Sequence, residues 1–479
     1  MKITVLGGSP KGEMSVTMAY VSYLKKRYPE HEWSVEQVAS RIALLEKNEE
    51  ILAGVLGSVR ESELVLWAFP LYILTVCSQY KRFIELVASR GGVSAFRGKY
   101  AASLSTSIHF FDHTAHAYIR EVSEDWGMRF TASFSPAMND LMKSAERLRL
   151  DAFAEEVFFV VGSSQPCPRR SAPLRVETSR ISPATALPRL PPPRQHPAPP
   201  PLRAAVLVDY GDSGAGFMAD RAALSLGTSV DRIDLETLGL PGHGCLGCLR
   251  CGAGECAYEG KDAYIEAYRN QVGPADILVF ACTIRDRYLS ARWKAFLDRS
   301  FFNTHRRTLK GKRIVILASG PLSQLPTLRE TLSAYFDWQG AQLVELVSDE
   351  AGSPEELGNL IDAAVSRAMR AAHEARQYAT GATVPPAGFL GVGGMKIFRD
   401  EIYGGLKIVF KADHREYRKT GEYDFPLRNP LAGLGVWLGY WITSIPFIQR
   451  GMRNGMTKFM VKPYEAVLLK TAPKSADRG

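Results

Sequence analysis

Short apolar segments alternate with helical ones along this chain, and the same order of segments occurs twice. In the first half Ile3–Leu6, Leu64–Ala68 and Tyr100–Leu104 read as buried strands. Helices are expected over Ser15–Arg27, around Gln79–Ala88 and over Met142–Val157. In the second half Ala204–Val208, Asp276–Ala281 and Ile314–Ala318 take the strand positions. Arg292–Phe302 corresponds to the helix containing Lys81-Arg82-Phe83, and Ser353–Tyr378 is the closing helix. Leu309-Lys310-Gly311-Lys312 likewise matches Phe96-Arg97-Gly98-Lys99. Strands of this length separated by helices form βαβ units and a parallel sheet. An internal duplication accounts for the order. The expectation is an α/β protein with two doubly wound parallel-sheet domains, residues 1–161 and 204–380.

Between them, residues 162–203 hold twelve of the 28 prolines. Such a segment cannot bury a core and is expected to be a disordered or polyproline linker. At ~3.1 Å per residue it could reach on the order of 130 Å, so it scarcely restricts how its neighbours dock. Residues 381–479 form a third kind of sequence, glycine-rich, aromatic and basic. From Pro386 onward there are 15 Lys/Arg against 8 Asp/Glu, which is most of the net +9 of the 479-residue chain. The preceding domains are nearly neutral, which excludes a general nucleic-acid binder. Met1–Gly8 enters a strand without a charged-then-apolar leader, and a cytoplasmic location is expected.

Four of the seven cysteines fall within twelve residues, Cys245, Cys248, Cys251 and Cys256, with the spacing C-x2-C-x2-C-x4-C. Thiolates two residues apart on a tight loop can converge on one inorganic core, and Gly247, Gly252 and Gly254 let the backbone wrap it. Structural zinc sites usually separate two C-x2-C knuckles by a dozen or more residues, so the compact run favours a [4Fe–4S] cluster. Cys77, Cys167 and Cys282 are scattered and take no role.

After the first strand comes Gly7-Gly8-Ser9-Pro10-Lys11-Gly12-Glu13-Met14-Ser15-Val16-Thr17. Glycines allow close backbone approach to a phosphate, and a helix N-terminus presents N–H groups to it. Ser9, Ser15 and Thr17 offer hydroxyls and Lys11 a charge. Pro70-Leu71-Tyr72 and Ser105-Thr106-Ser107 follow the next two strands, at the edge where α/β sheets bind ligands. Tyr72 could face a flavin ring. The equivalent loop of the second half, Asp209 to Gly216, places two carboxylates where a phosphate would sit, so FMN is expected only in the first domain.

These residues resemble a known group. The first loop is similar to the G-S-P-[RK]-x-x-S-x-T phosphate loop of NADPH-dependent FMN reductases and iron–sulfur flavoproteins. Arg292–Arg299 is similar to their K-x-F-x-D-R helix, and the cysteine run resembles the iron–sulfur flavoproteins in particular. The resemblance implies flavodoxin-like domains, FMN held by Ser9, Lys11, Gly12, Ser15, Thr17, Pro70, Leu71, Tyr72, Ser105, Thr106 and Ser107, and a [4Fe–4S] cluster. It implies an oxidoreductase relaying electrons between the two, with NAD(P)H as a candidate donor and a small redox partner. Two alternatives stay open: an FMN-dependent NAD(P)H or quinone reductase without a cluster, and a non-catalytic redox sensor. The uncharged run Leu431–Ile448, flanked by basic residues, is too short and too interrupted for a comfortable membrane span. It is expected to dock on the α/β domains, at a homo-oligomer interface, or on a membrane surface.

Overall fold

The computed structural model describes residues 1–175, 201–227, 230–240, 244–350, 352–378, 388–423, 430–471 and 473. Most of the proline-rich segment lies outside them, as do residues 381–387 and 424–429 of the C-terminal region. The chain divides into two compact bodies, the first comprising residues 1–173, 242–249 and 437–479, the second residues 174–241 and 250–436.

The first body is built from β1 (Lys2–Gly7), α1 (Val16–Arg27), β2 (Glu32–Glu36), α2 (Ile42–Lys47), α3 (Glu49–Glu61), β3 (Leu64–Pro70), α4 (Ser78–Ser89), β4 (Tyr100–Thr106), α5 (Asp112–Asp125), β5 (Arg129–Phe134) and α6 (Ser144–Gly162). Its five strands are all parallel, in the order β2-β1-β3-β4-β5. The three strands read from sequence are the buried central ones. The edge strands β2 and β5 escape the pattern because they are only half-buried and carry polar residues.

The second body repeats the plan with β6 (Ala204–Val208), α7 (Ser213–Leu226), β7 (Val230–Asp234), α8 (Tyr264–Ala267), β8 (Ile277–Thr283), α9 (Ala291–Arg299), β9 (Arg313–Ser319), α10 (Pro326–Trp338), β10 (Gln342–Ser348) and α11 (Pro354–Tyr378). Its parallel sheet runs β7-β6-β8-β9-β10, the same order counted along the chain. Both last strands carry a register shift, opposite Ala101/Ser103 and at Leu343/Glu345. These are two doubly wound flavodoxin-like α/β sheets.

One face of each sheet packs on apolar helices: Met18, Tyr20, Val21 and Leu24 of α1 with Leu150, Ala154 and Val157 of α6, and Met218, Ala219 and Ala222 of α7 with Ile361, Ala364 and Val365 of α11. The other faces bury aromatics, Trp67 with Phe96 and Trp126, and Phe280 with Trp293, Phe296 and Phe336.

The K-x-F-x-D-R helix proves to be structural. Lys294 and Asp298 are wholly buried and ion-paired one turn apart on α9. Arg299 Nη2 donates to both carboxylate oxygens of Asp262, at 3.0 and 2.8 Å, and the guanidinium lies over the Tyr258 ring. In α4 the buried Lys81 pairs with Glu85 at 2.7 Å in the same arrangement.

The residues that follow α6 make hydrogen bonds to α5. Glu124 accepts from Arg170 N and Ser171 N at 3.0 and 2.9 Å, while Arg169 bonds the Glu124 carbonyl at 2.8 Å. The C-terminal region is helical: α12 (Phe389–Gly404), α13 (Lys411–Thr420), α14 (Pro430–Ile442) and α15 (Pro446–Lys470). Within the second body α13 is pinned by the buried Asp413, which accepts from Thr304 Oγ1 at 2.7 Å and His305 N at 2.8 Å. Within the first body α15 packs on α1 through Tyr464, whose ring lies 6.4 Å from that of Tyr20.

Asp298→Ala removes the carboxylate paired with the buried Lys294 ammonium and should destabilise the second body by about 3–5 kcal/mol. The double change Lys294→Met/Asp298→Leu should recover most of that loss, and urea denaturation of the three proteins checks it.

Candidate functional site at the carboxyl edge of the first sheet

The strand order reverses between β1 and β3, the position at whose carboxyl edge open α/β sheets bind ligands. The loop after β1 is tightly organised. Ser9 is buried, and its hydroxyl accepts from Lys11 N at 3.2 Å while its carbonyl accepts from Gly12 N at 3.1 Å. Gly12 has φ +58°, where a side chain would be strained. Ser15 caps α1, accepting from Met18 N at 3.2 Å. The roles expected of Gly7 and Gly8 change. A Cβ on Gly8 would lie 2.7 Å from the Tyr80 ring and 2.8 Å from Phe69 Cβ, and one on Gly7 would meet Gln37 Oε1 at 2.6 Å. Packing, rather than the approach of a phosphate, accounts for those two glycines.

The other sequence-read residues fall on the same edge. Thr17 Oγ1 and Thr106 Oγ1 share a buried hydrogen bond of 2.6 Å that ties α1 to the end of β4. Leu71 N donates to the Thr106 carbonyl at 3.1 Å, aligning the loop after Pro70 with that after β4. Tyr72 and Thr75 close a tight turn by reciprocal backbone bonds of 2.8 and 3.2 Å. Inside it Ile73 and Leu74 have φ +38° and +66°. After β4, Ser107 Oγ accepts from His109 N at 2.9 Å, and His109 and Phe111 have φ +61° and +65°. Left-handed backbone costs a non-glycine residue about 1–2 kcal/mol, and such strain gathers at functional loops.

The edge also holds groups that the sequence reading missed. The Gln37 amide and the Thr75 hydroxyl are buried and find no hydrogen-bond partner among the described residues. Gln37 stands one residue beyond β2, beside Gly7. Buried polar atoms are seldom left in this state unless a ligand or water completes them. A polar relay also crosses the edge: His109 Nδ1 to Asp112 Oδ2 (2.9 Å), Asp112 to Ser135 Oγ (2.6 Å), Ser135 to Ser105 Oγ (3.1 Å), and Ser105 to His116 Nε2 (2.9 Å). His116 Nδ1 meets Ser103 Oγ at 2.7 Å. Burial alone would raise the Asp112 carboxyl, but hydrogen bonds from Ser135 and His109 hold it below its ordinary value. The i,i+4 spacing of Asp112 and His116 on a helix after the third motif strand was the available signal.

The first half of the cysteine motif lies on this edge too. Gln79 Nε2 donates to the Cys245 carbonyl at 3.2 Å. Gly247 has φ +63°, and a Cβ there would lie 1.8 Å from Tyr72 Oη and 3.0 Å from Lys11 Cε. Gly247 N points to Cys245 Sγ at 3.4 Å. Burial pushes the Lys11 ammonium below its ordinary pKa, opposed by Cys245 and Cys248. Cys251 and Cys256 belong to the second body, Cys251 in a 3-10 turn over Arg250–Ala253 whose Gly252 abuts the Val409 carbonyl. Among the described residues no group of three or more His, Cys, Asp or Glu side chains is arranged to hold a metal ion. The expected ligand set for a cluster is therefore not supported by the geometry. Cys77 and Cys282 are buried, and Cys167, rather than lying in a loose linker, packs partly buried on the first core.

In the second body the corresponding loop is filled by its own side chains. Asp209 is buried and paired with Arg292, and Asp212 caps α7 by accepting from Ala215 N at 2.9 Å. Ser319 Oγ and Gly320 N both donate to Asp349 at 2.8 Å, and a Cβ on Gly214 would meet Ser319 Oγ at 2.5 Å.

Residues 211–348, which belong to the second body except for residues 242–249, match the family model of NADPH-dependent FMN reductase. No curated protein matches the chain. Among solved structures it is similar to the flavoenzyme NAD(P)H:acceptor oxidoreductase FerB of Paracoccus denitrificans, with 18% identity, 32% of this chain and 96% of that one covered, and a TM-score of 0.27. An azoreductase of Bacillus anthracis is similar at 16% identity, 36% and 99% coverage and a TM-score of 0.27. The Trp repressor binding protein of Bacillus subtilis follows at 19% identity, 35% and 98% coverage and a TM-score of 0.25.

Burial pushes the His116 imidazole down to about 4. Its ordinary value is ~6.5, so between those values the unfolded chain binds the proton and the folded chain does not. Stability from this group is therefore intact above pH ~6.5 and falls as the pH drops toward ~4, by on the order of 3 kcal/mol in all. The His116 imidazole resonance should titrate near pH 4, and His116→Gln should flatten the acid limb of stability. A midpoint near 6.5 would contradict the buried, neutral assignment.

Proposed function

We propose that the protein is a flavin-dependent oxidoreductase that holds FMN at the carboxyl edge of its first sheet and is reduced by NAD(P)H. The observation that carries this reading is the combination on one edge of a Ser/Lys loop at a helix N-terminus, the orphaned Gln37 and Thr75, and four left-handed non-glycine residues. The family match over residues 211–348 supports the class of reaction.

Ser9, Gly12, Ser15, Thr17 and Lys11 would hold the phosphate, the α1 N-terminus adding its own positive end. Pro70, Leu71, Tyr72, Ser105, Thr106 and Ser107 would flank the ring, and Gln37 and Thr75 would donate or accept at its polar rim. FMN, when bound, supplies hydride acceptance and single-electron release. The chain's own part is to orient, to exclude water with the residue 244–249 loop, and to hold a proton between Ser105 Oγ and His116 Nε2. One flavin per chain is expected, because Asp209, Asp212 and Asp349 fill the second loop. The shared strand order, shared register shift and paired buried lysines favour an origin by tandem duplication.

A second reading adds a [4Fe–4S] relay. It is supported by the compact cysteine spacing and by the Gly247 N–H directed at Cys245 Sγ. Anaerobically prepared protein would then contain about four iron and four sulfide per chain. Zinc without labile sulfide removes this reading and leaves the flavin one standing.

Purified protein should carry about one FMN that NADPH bleaches anaerobically. Ser15→Asp, which sets a carboxylate against the phosphate, should abolish flavin binding, and Gln37→Leu should weaken it about tenfold, the cost of one hydrogen bond to a buried partner. Full flavin content in both variants would move the site elsewhere.

A further inference from the structure

Helix α14 carries no charged residue, yet it turns its large side chains outward. Trp437 and Trp441 are 52% and 57% exposed, and Leu434, Leu438 and Ile442 are exposed beside them. These positions follow the i, i+3, i+4, i+7 spacing of one helix face. The half-buried positions are the smaller Gly433, Val436, Gly439 and Thr443, together with Tyr440. The face continues into Ile445 and Phe447, the latter 86% exposed at the start of α15. A surface helix in water has the opposite arrangement, and an exposed apolar face of this extent marks an interaction surface.

We propose that this face seats on an anionic lipid surface. Three properties choose that occupant. Tryptophans are favoured at the headgroup level, where an apolar body and a polar N–H are both accommodated. The chain from Trp437 onward holds seven Lys/Arg against two Asp/Glu, with Arg450, Lys458 and Lys462 exposed on the helix that follows the patch. Among the described residues no helix is long and apolar enough to cross a membrane, and α14, with 13 residues, would span only about 20 Å. An apolar aromatic face followed by exposed bases lies in the interface plane, with electrostatic attraction adding to burial. The surface is independent of the flavin reading.

The test is flotation of the full-length protein with vesicles of phosphatidylcholine alone or mixed with phosphatidylglycerol. Binding to the anionic vesicles should be about tenfold tighter or more than to the neutral ones. It should weaken as salt shortens the Debye length from ~10 Å at 0.1 M to ~3 Å at 1 M. Trp437→Ser/Trp441→Ser should abolish flotation while far-UV circular dichroism and flavin content stay unchanged. Should that variant misfold, quenching of the wild-type tryptophan fluorescence by brominated lipid gives the same answer. Absence of flotation on both vesicle types overturns the proposal. So does sedimentation showing a dimer that the double substitution dissociates, which would assign the face to a second copy of the chain.

Discussion

Parallel strands cannot be joined by a hairpin, and that constraint organises each half of this protein. Every strand must be followed by a crossover to reach its parallel neighbour, which leaves all the carboxyl ends on one edge. The order reverses between β1 and β3 and between β6 and β8, the positions where open α/β sheets bind ligands. The two sheets thus create two equivalent positions. They differ only in what the loops bring there, and that chemistry separates a candidate ligand site from a filled one.

At the first edge the backbone is held in conformations it would not choose. Ile73, Leu74, His109 and Phe111 are fixed by reciprocal turn bonds, by Thr114 and by Ser107, so the strain is carried by the surrounding hydrogen bonds. The orphaned Gln37 and Thr75 add a cost of the same order. At the second edge Thr283 Oγ1, at the end of β8, is also buried without a hydrogen-bond partner among the described residues, but the acidic loop residues are satisfied. Asp209, Asp212 and Asp349 each have a cation or N–H donor, and the loop closes on itself. The family match nevertheless covers residues 211–348, most of them in the second body.

Buried charge is the other recurring element. Lys81 with Glu85 and Lys294 with Asp298 occupy the same place in each half, one turn apart on the helix after the third strand. Such pairs contribute little net stability but fix a unique packing, because any rearrangement leaves a charge without its partner. Asp413 acts similarly for α13. Burial pushes its carboxyl up to about 6; Thr304 and His305 both donate to Oδ1, while the buried Oδ2 has no hydrogen-bond partner among the described residues.

Much of the architecture follows from local sequence. The buried central strands and the helices after them are written in apolar runs and turn residues, because burial on both faces demands near-continuous hydrophobicity. The edge strands β2 and β5 are not, since their exposed faces tolerate polar residues. The placement of Ser9, Lys11, Thr17, Tyr72 and Thr106 on one edge was legible from their positions after consecutive strands. Several features depend on contacts between residues distant in sequence. They include the burial of Gln37 beside Gly7, the relay from His109 to His116, and the seating of Gly247 on Tyr72 and Lys11. They also include the outward turn of Trp437 and Trp441. The cysteine spacing announces a chemistry, but spacing fixes only which thiols are near along the chain. Whether four of them meet around one centre is decided by the packing of residues far apart in sequence, because ligand geometry is a property of three-dimensional distances.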